Sequence, residues 1–541
     1  MSATARHSAP TDALFSPWSE GPGPGVAVAV VQGGDIVYQR CYGLANIENG
    51  VALTENSVLR LGSTTKHLTA TCLLILENRG LLSIDDAVKD HIPEFPDFDT
   101  PLTLRHLLTM NSGLRDHLTL LLLDGLDAGH FIGKQTLFRM ATAPLPLVFR
   151  PGEDVVYSNT NYTLLSEIVE RVSGQSLRDF MDRELFAPLG MTQTRLVPQM
   201  SETVPGMAKG YVPGPEGAFS AGFMGVYVDG AGGVNAPLVD MIKWFRNYRD
   251  DQVFGPNYRQ RMEADVHLED GQLSDYRLGI SVKSHRGLKA VRHGGGMPGY
   301  ACDFVFYPEP DIGVILLANV LDLRIYALAD RIADVLLNER PVPQSPRPNF
   351  APGLYLSESS DLLVMLAEES QEHAAYVLGE RNPLVRDGAG WRSTKNPIHI
   401  EVTGGNGEAG LEVRIGARAA QGLRPIQDPR DVPVPLPADY EDFAGVYRNE
   451  TLGIEQVVEA GGGEIAIRLS SRMRGLVWNR LFAVAEDLFV APVEGEPSCT
   501  NVVIRFRRDG QGAVCGLRYS LSRCEDLDFE KVSEVGGEAK T

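Results

Sequence analysis

Residues 26–43 read VAVAVVQGGDIVYQRCYG, near the start of the first predicted domain. Two alternating runs rich in β-branched residues flank Gly33-Gly34-Asp35, which is the pattern of a β-hairpin. Apolar strand patterns return much later, at residues 304–307 and 313–318, separated by a turn with two prolines. The segments in between are mostly helical in pattern. Strands at both ends with helices between them predict an α+β domain, in which one sheet joins the N- and C-terminal strands.

The helical segments are amphipathic and end at recognisable caps. The spacing of apolar residues predicts helices over residues 66–78, 104–110, 162–172 and 325–337. The first ends at Arg79-Gly80 and the third at Ser173-Gly174, where glycine suits a left-handed C-cap. We expect His67, in the first turn of the first helix, to be exposed to solvent.

The chain changes character at a proline-rich linker, residues 341–348, which contains four prolines. Short strand-like segments with glycine-rich turns follow it, and a second proline-rich stretch covers residues 429–437. Regular short strands of this kind predict small antiparallel barrels or sandwiches. The two tail segments open alike, with Gly353-Leu354-Tyr355 and Gly445-Val446-Tyr447. We therefore predict three domains, at residues 1–338, 349–428 and 438–541.

Composition narrows the class of function. The 541 residues exceed the roughly 250–300 that one hydrophobic core serves, so several domains are expected. A net charge of −20 repels a phosphate backbone and disfavours nucleic-acid binding. No apolar run approaches the ~20 residues that span a bilayer, and residues 1–18 lack the apolar segment of a secretory signal. Six cysteines without a C-x-x-C pair predict reduced core thiols, and together these features predict a cytoplasmic protein without membrane contact.

Ser63 and Lys66 are the first candidates for chemistry, in the stretch Gly62-Ser63-Thr64-Thr65-Lys66. Residues three apart share a face of a helix, so these two side chains can touch. At a helix N-terminus, free N–H groups and the helix dipole favour an oxyanion and lower the pKa of a nearby lysine. In isolation the same residues also fit a serine cap and a solvated lysine.

Two further motifs carry groups that suit acyl transfer. Tyr157 can move a proton beside a cationic amine, and Asn159 can polarise a substrate carbonyl. His293 precedes three glycines, where a substrate backbone can lie against the chain and the N–H of Gly296 can complete an oxyanion hole. Taken singly, these motifs also fit a helix cap, a half-buried tyrosine and a glycine-rich turn. The eleven histidines show no metal-ligand spacing, so we predict no metal and no cofactor.

The order S-x-x-K, Y-x-N and H-x-G resembles the serine β-lactamase and penicillin-recognising superfamily over roughly residues 25–337. Within it, the chain is most similar to the bacterial D-aminopeptidases. The resemblance implies a β-lactamase-like catalytic domain, with an antiparallel sheet flanked by helices, followed by two small antiparallel β-barrel domains. The segments that carry it, besides the three motifs, are residues 105–114, 112–116, 157–162, 186–191, 230–232, 240–244, 445–447 and 506–509.

The resemblance also implies a mechanism of acyl transfer. Ser63 is expected to attack a carbonyl while Lys66, with Tyr157, accepts its proton. The N–H groups of Ser63 and Gly296 are expected to hold the oxyanion, and Asn159 to position the acyl group. Water then hydrolyses the acyl-enzyme.

His293 is expected to lie within reach of Tyr157, which protonates the leaving amine. β-Lactamases and D-Ala-D-Ala carboxypeptidases carry a K-T-G strand, whose Lys and Thr grip the substrate carboxylate. His293 and Gly294 stand in those places here, so the grip on a carboxylate at that end is weak. This leaves aminopeptidase, amidase or esterase activity.

Three hypotheses follow. The first is a D-aminopeptidase-type hydrolase that removes an N-terminal D-residue from short peptides, amides or esters. The second is a carboxylesterase or amidase of the β-lactamase-like group, whose members generally lack the tail barrels. The third is an inactive binding protein, which the intact set of candidate residues disfavours. A homodimer is left open.

The last expectation concerns specificity. In the D-aminopeptidases a loop of the final barrel enters the cleft and presents an acidic group to the substrate's ammonium. The matching stretch here, residues 469–476, contains Arg472 and Arg474 and no acid. It reads either as an exposed basic loop or as a cleft loop that attracts carboxylates. The second reading predicts a preference for D-Asp, D-Glu or N-blocked substrates.

Overall fold

The computed structural model describes most of the chain. The described residues are 9–19, 21–123, 130–214, 217–251, 253–255, 257–322, 324–337, 350–357, 360–369, 372–377, 380–387, 390–393, 400–403, 411–415, 420–430, 436, 440–469, 477–491, 502–521 and 523–533.

The N-terminal domain, up to residue 337, contains helices and thirteen described strands. The helices are α1 Ser16–Ser19, α2 Thr65–Asn78, α3 Val88–His91, α4 Leu104–Leu108, α5 His117–Leu123, α6 Lys134–Ala141, α7 Asn159–Ser173, α8 Leu177–Met181, α9 Leu238–Asp250, α10 Tyr258–Met262 and α11 Ile325–Leu336. The strands are β1 Val26–Gln32, β2 Asp35–Tyr42, β3 Leu44–Asn46, β4 Val51–Ala52, β5 Leu59–Arg60, β6 Arg195–Leu196, β7 Tyr211–Pro213, β8 Phe219–Ala221, β9 Val234–Ala236, β10 Ser281–His285, β11 Leu288–Met297, β12 Tyr300–Tyr307 and β13 Ile312–Ala318.

The central sheet joins the two ends of this domain, as the sequence predicts. Its strand order is β10-β11-β12-β13-β1-β2, and β1 pairs with β13 from Val26 opposite Ala318. Gly33 and Gly34 form the β1–β2 turn with φ of +60° and +89°, a backbone region that glycine adopts at no steric cost. Helix α11 packs against one face of the sheet, and α2 and α9 lie on the other side. The α+β class is confirmed.

The expectation that His67 is exposed is wrong. Its side chain is fully buried between the rings of Trp244 and Phe304, with ring centroids 5.4 and 5.1 Å away. The reason is that α2 is a central helix, in which every residue from Thr65 to Leu76 is buried. The apolar spacing of a helix identifies one buried face, but it does not show that other elements cover the opposite face too.

Helix α7 begins at Asn159, three residues earlier than the apolar spacing predicts. The cause is a cap from a distant loop, because the backbone N–H of Asn159 donates to Asp116 Oδ1 at 2.7 Å. A carboxylate at a helix N-terminus stabilises the first turn. The other end follows the prediction, with Gly174 in the left-handed region at φ +69°.

The middle barrel is a closed eight-stranded antiparallel barrel. Its core contains residues such as Val364, Trp391 and Val413, all from the barrel and the segment just before it. The strands are β14 Gly353–Ser357, β15 Leu363–Glu369, β16 Glu372–Val377, β17 Glu380–Asp387, β18 Gly390–Ser393, β19 Ile400–Thr403, β20 Leu411–Ile415 and β21 Gln421–Ile426.

The C-terminal barrel is a nine-stranded antiparallel sheet whose end strands, β25 and β26, are consecutive in the chain. Its core includes Leu120 and Leu123 of α5, so it packs directly onto the N-terminal domain. This barrel-like sheet and the middle barrel confirm the predicted architecture, while the exact domain boundaries stay a prediction. The strands are β22 Gly445–Asn449, β23 Ile454–Gly461, β24 Glu464–Leu469, β25 Val477–Arg480, β26 Phe482–Ala485, β27 Leu488–Val490, β28 Val502–Arg508, β29 Val514–Leu521 and β30 Cys524–Ser533.

In the part of the chain that the structure describes, no helix has the length and apolar character needed to cross a membrane. Five of the six cysteines lie in that part, and all five are free thiols. Cys72, Cys302 and Cys524 are buried, as predicted for core thiols, whereas Cys41 and Cys515 are half-buried.

Candidate active site

Ser63 and Lys66 meet at the N-terminal end of α2. Ser63 lies in the 3₁₀ turn Gly62–Thr64, which leads directly into the helix. Lys66 Nζ lies 3.2 Å from Ser63 Oγ. The lysine is fully buried while the serine is partly exposed. The partly exposed Ser63 hydroxyl therefore lies against the buried amine of Lys66.

Two oxygen atoms fix the amine of Lys66 from the other side. Nζ donates to Asn159 Oδ1 at 2.8 Å and to the carbonyl oxygen of Ala231 at 2.7 Å. Ala231 stands in the Gly230–Gly232 segment, one of those that resemble the D-aminopeptidases. This segment thus has a direct role in holding Lys66.

Burial lowers the pKa of Lys66 well below its usual value, because a charged ammonium loses its hydration there. The carboxylates of Asp116 and Asp229 oppose this effect, and the guanidinium of Arg523 adds to it. The direction agrees with the expectation from the sequence, but its main cause is burial.

Tyr157 lies beside the amine. The centroid of its ring is 4.7 Å from Lys66 Nζ, and the ring meets the edge of Tyr276 at a centroid distance of 6.3 Å. The side chain of Tyr157 is half-buried. Its position is compatible with proton transfer near Lys66.

His293 contacts a second tyrosine that the sequence analysis missed. Its Nδ1 lies 2.6 Å from the carbonyl oxygen of Gly294, and its Nε2 lies 3.0 Å from the hydroxyl of Tyr276. Because a carbonyl can only accept, Nδ1 carries the proton and Nε2 accepts from Tyr276. Burial lowers the pKa of His293 to about 3, so the imidazole is neutral. The ring centroids of His293 and Tyr157 are 6.4 Å apart.

The glycines of β11 allow the strand to approach the serine turn. A Cβ on Gly295 would lie 1.8 Å from the carbonyl oxygen of Leu61 and 3.0 Å from Ser63 N. Gly62, at φ +52°, would place a Cβ 2.9 Å from the backbone nitrogen of Gly296. Strand β10 pairs with β11 only as far as Arg292, so residues 293–297 extend beyond it. The backbone of β11 around Gly295 and Gly296 is therefore packed directly against the turn that carries Ser63.

Tyr326 of α11 fills the space that the glycines leave on the other face of β11. Its Cε1 would be 2.6 Å from a Cβ on Gly294, and its hydroxyl oxygen 2.9 Å from a Cβ on Gly296. The H-x-G motif has no hydroxyl of its own, and Tyr326 thus places one beside this strand. No sequence motif marks Tyr326 or Tyr276, because packing alone places them.

The C-terminal barrel reaches the site through the turn between β29 and β30. The guanidinium of Arg523 lies 4.9 Å from the centroid of the Tyr157 ring. The backbone N–H of Asp116 donates to the carbonyl oxygen of Arg523 at 3.2 Å. Arg115 Nη2 donates to the carbonyl oxygens of residues 525 and 526 at 2.9 and 3.2 Å. One loop of the N-terminal domain thus anchors this turn and caps helix α7.

The structure brings Ser63, Lys66, Tyr157, Asn159, His293 and Gly296 together in one cluster. Arg472 and Arg474 lie outside the described residues. Within the described ranges, no group of three or more His, Cys, Asp or Glu side chains has the arrangement of a metal site.

Comparisons with known proteins agree with this fold. The Beta-lactamase family model matches residues 12–337. A D-aminopeptidase of Gluconobacter oxydans (strain 621H) is 26% identical over 526 residues, which cover 94% of this chain and 96% of that protein. Penicillin-binding protein 4* of Bacillus subtilis (strain 168) is 30% identical over 306 residues, which cover 54% of this chain and 67% of the relative.

Solved structures share the fold. The octameric penicillin-binding protein homologue from Pyrococcus abyssi superimposes with a TM-score of 0.58 and 22% identity. The match covers 78% of this chain and all of the other. It therefore extends beyond the N-terminal domain.

Proposed function

The chain belongs to the β-lactamase family and is a serine hydrolase, and we propose that it hydrolyses short peptides, amides or esters with an N-terminal D-amino acid. The observation that carries this proposal is the contact of the Ser63 hydroxyl with a buried amine. The full-length similarity to a D-aminopeptidase, including both tail barrels, favours it over a carboxylesterase.

The contacts of Lys66 suggest how it accepts a proton. A neutral amine has two N–H donors and one lone pair. The two donors have acceptors in Asn159 Oδ1 and the carbonyl of Ala231. This leaves the lone pair for the third neighbour, the hydroxyl of Ser63. The serine proton passes to Lys66 as Oγ bonds to the substrate carbonyl carbon, and such a base contributes about 10²–10⁴ in rate.

The developing oxyanion is held by the backbone N–H groups of Ser63 and Gly296. One such donor is worth about 10²–10³ in kcat. The side-chain oxygen of Asn159 accepts a hydrogen bond from Lys66. The Nδ2 group of the same amide is therefore the donor that positions the acyl carbonyl.

The leaving amine takes its proton from Lys66 by way of Tyr157. A neutral His293 that accepts from Tyr276 acts in this scheme as a positioning residue, since Tyr276 packs against the ring of Tyr157. Expulsion of the amine leaves Ser63 acylated. Water then attacks the ester, its proton returns along the same path, and Ser63 is regenerated.

The finer predictions from the sequence belong to this proposal as well. A preference for acidic D-residues through Arg472 or Arg474 is tested by the Arg472→Ala and Arg474→Ala variants with D-Asp and D-Ala anilides. A change of less than about tenfold in their kcat/KM ratio would exclude those two residues as the selectivity device. A cytoplasmic location stays a prediction, and a homodimer stays open.

The decisive experiment combines labelling with a substrate panel. Intact-mass spectrometry after exposure to a fluorophosphonate should show one adduct on the wild type and none on Ser63→Ala. Ser158→Ala, which removes another serine hydroxyl next to Tyr157, is the matched control and should still be labelled. The wild type should cleave D-amino-acid p-nitroanilides or p-nitrophenyl esters faster than their L-enantiomers. Labelling at another serine, or a preference for L-substrates, would contradict the proposal.

A further inference from the structure

Arg523 stands in an unusual backbone conformation at the turn that reaches the site. Its φ is +63°, in the left-handed region that residues other than glycine adopt rarely. Leu521 of β29 pairs with Cys524 of β30 next to it. A strained conformation persists where surrounding contacts enforce it, and such positions cluster at functional sites.

The surrounding contacts come from the N-terminal domain. The N–H of Asp116 donates to the carbonyl oxygen of Arg523, and the guanidinium of Arg115 donates to the carbonyls of residues 525 and 526 at the start of β30. Arg115 is buried, with 6% of its surface exposed. The shared core of α5 and the C-terminal barrel supports the same contact. The guanidinium of Arg523 is therefore held at Tyr157 by a fixed turn.

Arg523 brings a positively charged group to this place. An arginine stays protonated in proteins, whereas burial lowers the pKa values of both Lys66 and His293. The two carboxylates near Lys66 face the interior. Asp116 caps helix α7, and both oxygens of Asp229 are buried. A substrate ammonium next to Tyr157 would meet a cation, and a carboxylate would meet a charge-assisted donor.

The distances bring this charge within reach of the reacting serine. Arg523 and Lys66 Nζ both lie within 5 Å of the centroid of the Tyr157 ring, and Nζ contacts Ser63 Oγ. We propose that Arg523 forms a carboxylate-binding subsite that selects substrates whose D-residue carries a side-chain carboxylate, such as D-Asp or D-Glu. This inference rests on the proposed function and assigns the selectivity to a residue of the β29–β30 turn.

The test compares the α-anilides of D-Asp and D-Asn, which have nearly the same shape and differ in charge. The wild type should show a kcat/KM for D-Asp at least about tenfold higher than for D-Asn. Arg523→Asn keeps a residue that tolerates the left-handed region and should bring the ratio to within about twofold of one. Arg523→Lys keeps the charge without the planar fork and should give an intermediate ratio.

The matched control is Arg518→Ala, which removes an arginine from the same hairpin. Arg518 pairs with Asp528, and its loss changes the net charge by the same amount as Arg523→Asn. This control should keep the wild-type ratio. An unchanged ratio in Arg523→Asn, or a wild type that prefers D-Asn, would overturn the proposal.

A second readout separates this proposal from the proposed function. D-Aspartate should slow fluorophosphonate labelling of Ser63 in the wild type more than D-asparagine does, and this difference should vanish in Arg523→Asn. If no D-anilide is cleaved, the proposed function fails while this protection still tests the subsite. Equal protection by the two amino acids in the wild type would overturn the subsite.

Discussion

The middle and C-terminal barrels open alike and relate differently to the rest of the chain. In each, a tyrosine hydroxyl donates to the carbonyl oxygen four residues upstream, from Tyr355 to Ala351 at 2.7 Å and from Tyr447 to Phe443 at 2.6 Å. The middle barrel has a core of its own residues, whereas the core of the C-terminal barrel continues into leucines of α5. The same opening motif thus begins two domains with different neighbours.

The middle barrel contacts the C-terminal barrel. An apolar cluster joins it to the C-terminal barrel, with Leu356 and Leu363 on one side and Val490 and Val503 on the other. The C-terminal barrel in turn inserts the Arg523 turn beside Tyr157. The two tail domains therefore differ in role although both are barrels, because only the C-terminal barrel contributes the Arg523 turn. We expect the chemical step to depend on the N-terminal domain and substrate selectivity to depend on the C-terminal barrel.

The largest effect should come from the chemistry itself. Lys66→Ala removes the proposed base and should lower kcat/KM by about 10²–10⁴ on D-Asp and D-Asn anilides alike. Steady-state kinetics on both substrates measure this effect and show whether their ratio stays constant. Lys89→Ala, which removes an exposed lysine paired with Asp97, is the control and should behave as the wild type.

Two outcomes would contradict this separation of chemistry from substrate selectivity. Residual activity of Lys66→Ala above about a tenth of wild type, a barrier change near 1.4 kcal/mol, would show that Lys66 is not the base. A change in the D-Asp to D-Asn ratio as large as the loss in rate would show that chemistry and selection are not separable.

The second effect concerns the anchor of the turn. Arg115→Met keeps an apolar stem and removes two charge-assisted hydrogen bonds to the carbonyls of residues 525 and 526. Hydrogen bonds to charged groups are worth about 1.5–3 kcal/mol, so a loosened turn should lower the D-Asp to D-Asn ratio by up to about tenfold. Arg105→Met, at an exposed arginine paired with Asp85, should leave the ratio unchanged. An unchanged ratio in Arg115→Met would mean that other contacts hold the turn.

Much of the site could be predicted from the sequence because its geometry is local. Ser63 and Lys66 are three residues apart, and Tyr157 and Asn159 flank the start of one helix. The hairpin at residues 26–43 likewise fixes how the central sheet begins. Short-range spacing of this kind is set by backbone geometry alone.

The rest of the site depends on contacts that spacing does not encode. Arg115 and Glu525 are 410 positions apart in the chain, and Tyr276 and Tyr326 belong to no motif. His67 shows the same limit inside a helix, because only the packing of Trp244 and Phe304 buries its outer face. The interpretation of Arg472 and Arg474 falls on residues outside the described ranges. The structure separately places Arg523, of the β29–β30 turn, beside Tyr157.

A smaller effect concerns pH and would sharpen the link between the two domains. In the proposed mechanism Lys66 works unprotonated, so kcat/KM should fall as the pH drops through its pKa. Arg523 lowers that pKa by repulsion, while Asp116 and Asp229 raise it. Arg523→Asn should therefore raise the pKa of Lys66 and move the acid limb of the kcat/KM profile to higher pH. The uncharged D-Asn anilide is the substrate to use, with Arg518→Ala as control, and an acid limb that stays in place or moves to lower pH would contradict this coupling.

The smallest effect separates the two barrels directly. Tyr447→Phe and Tyr355→Phe each remove one hydroxyl from matching positions, and each should destabilise its own barrel by about 1 kcal/mol, because a carbonyl loses its donor. With urea m-values of about 1–3 kcal/mol/M, such a loss moves a midpoint by roughly 0.3–1 M. The D-Asp to D-Asn ratio, followed as urea increases, should collapse earlier in Tyr447→Phe than in the wild type. In Tyr355→Phe it should collapse at the wild-type concentration, because the middle barrel does not supply Arg523. Equal shifts in both variants would show that the barrels support the site alike and would remove the distinction between them.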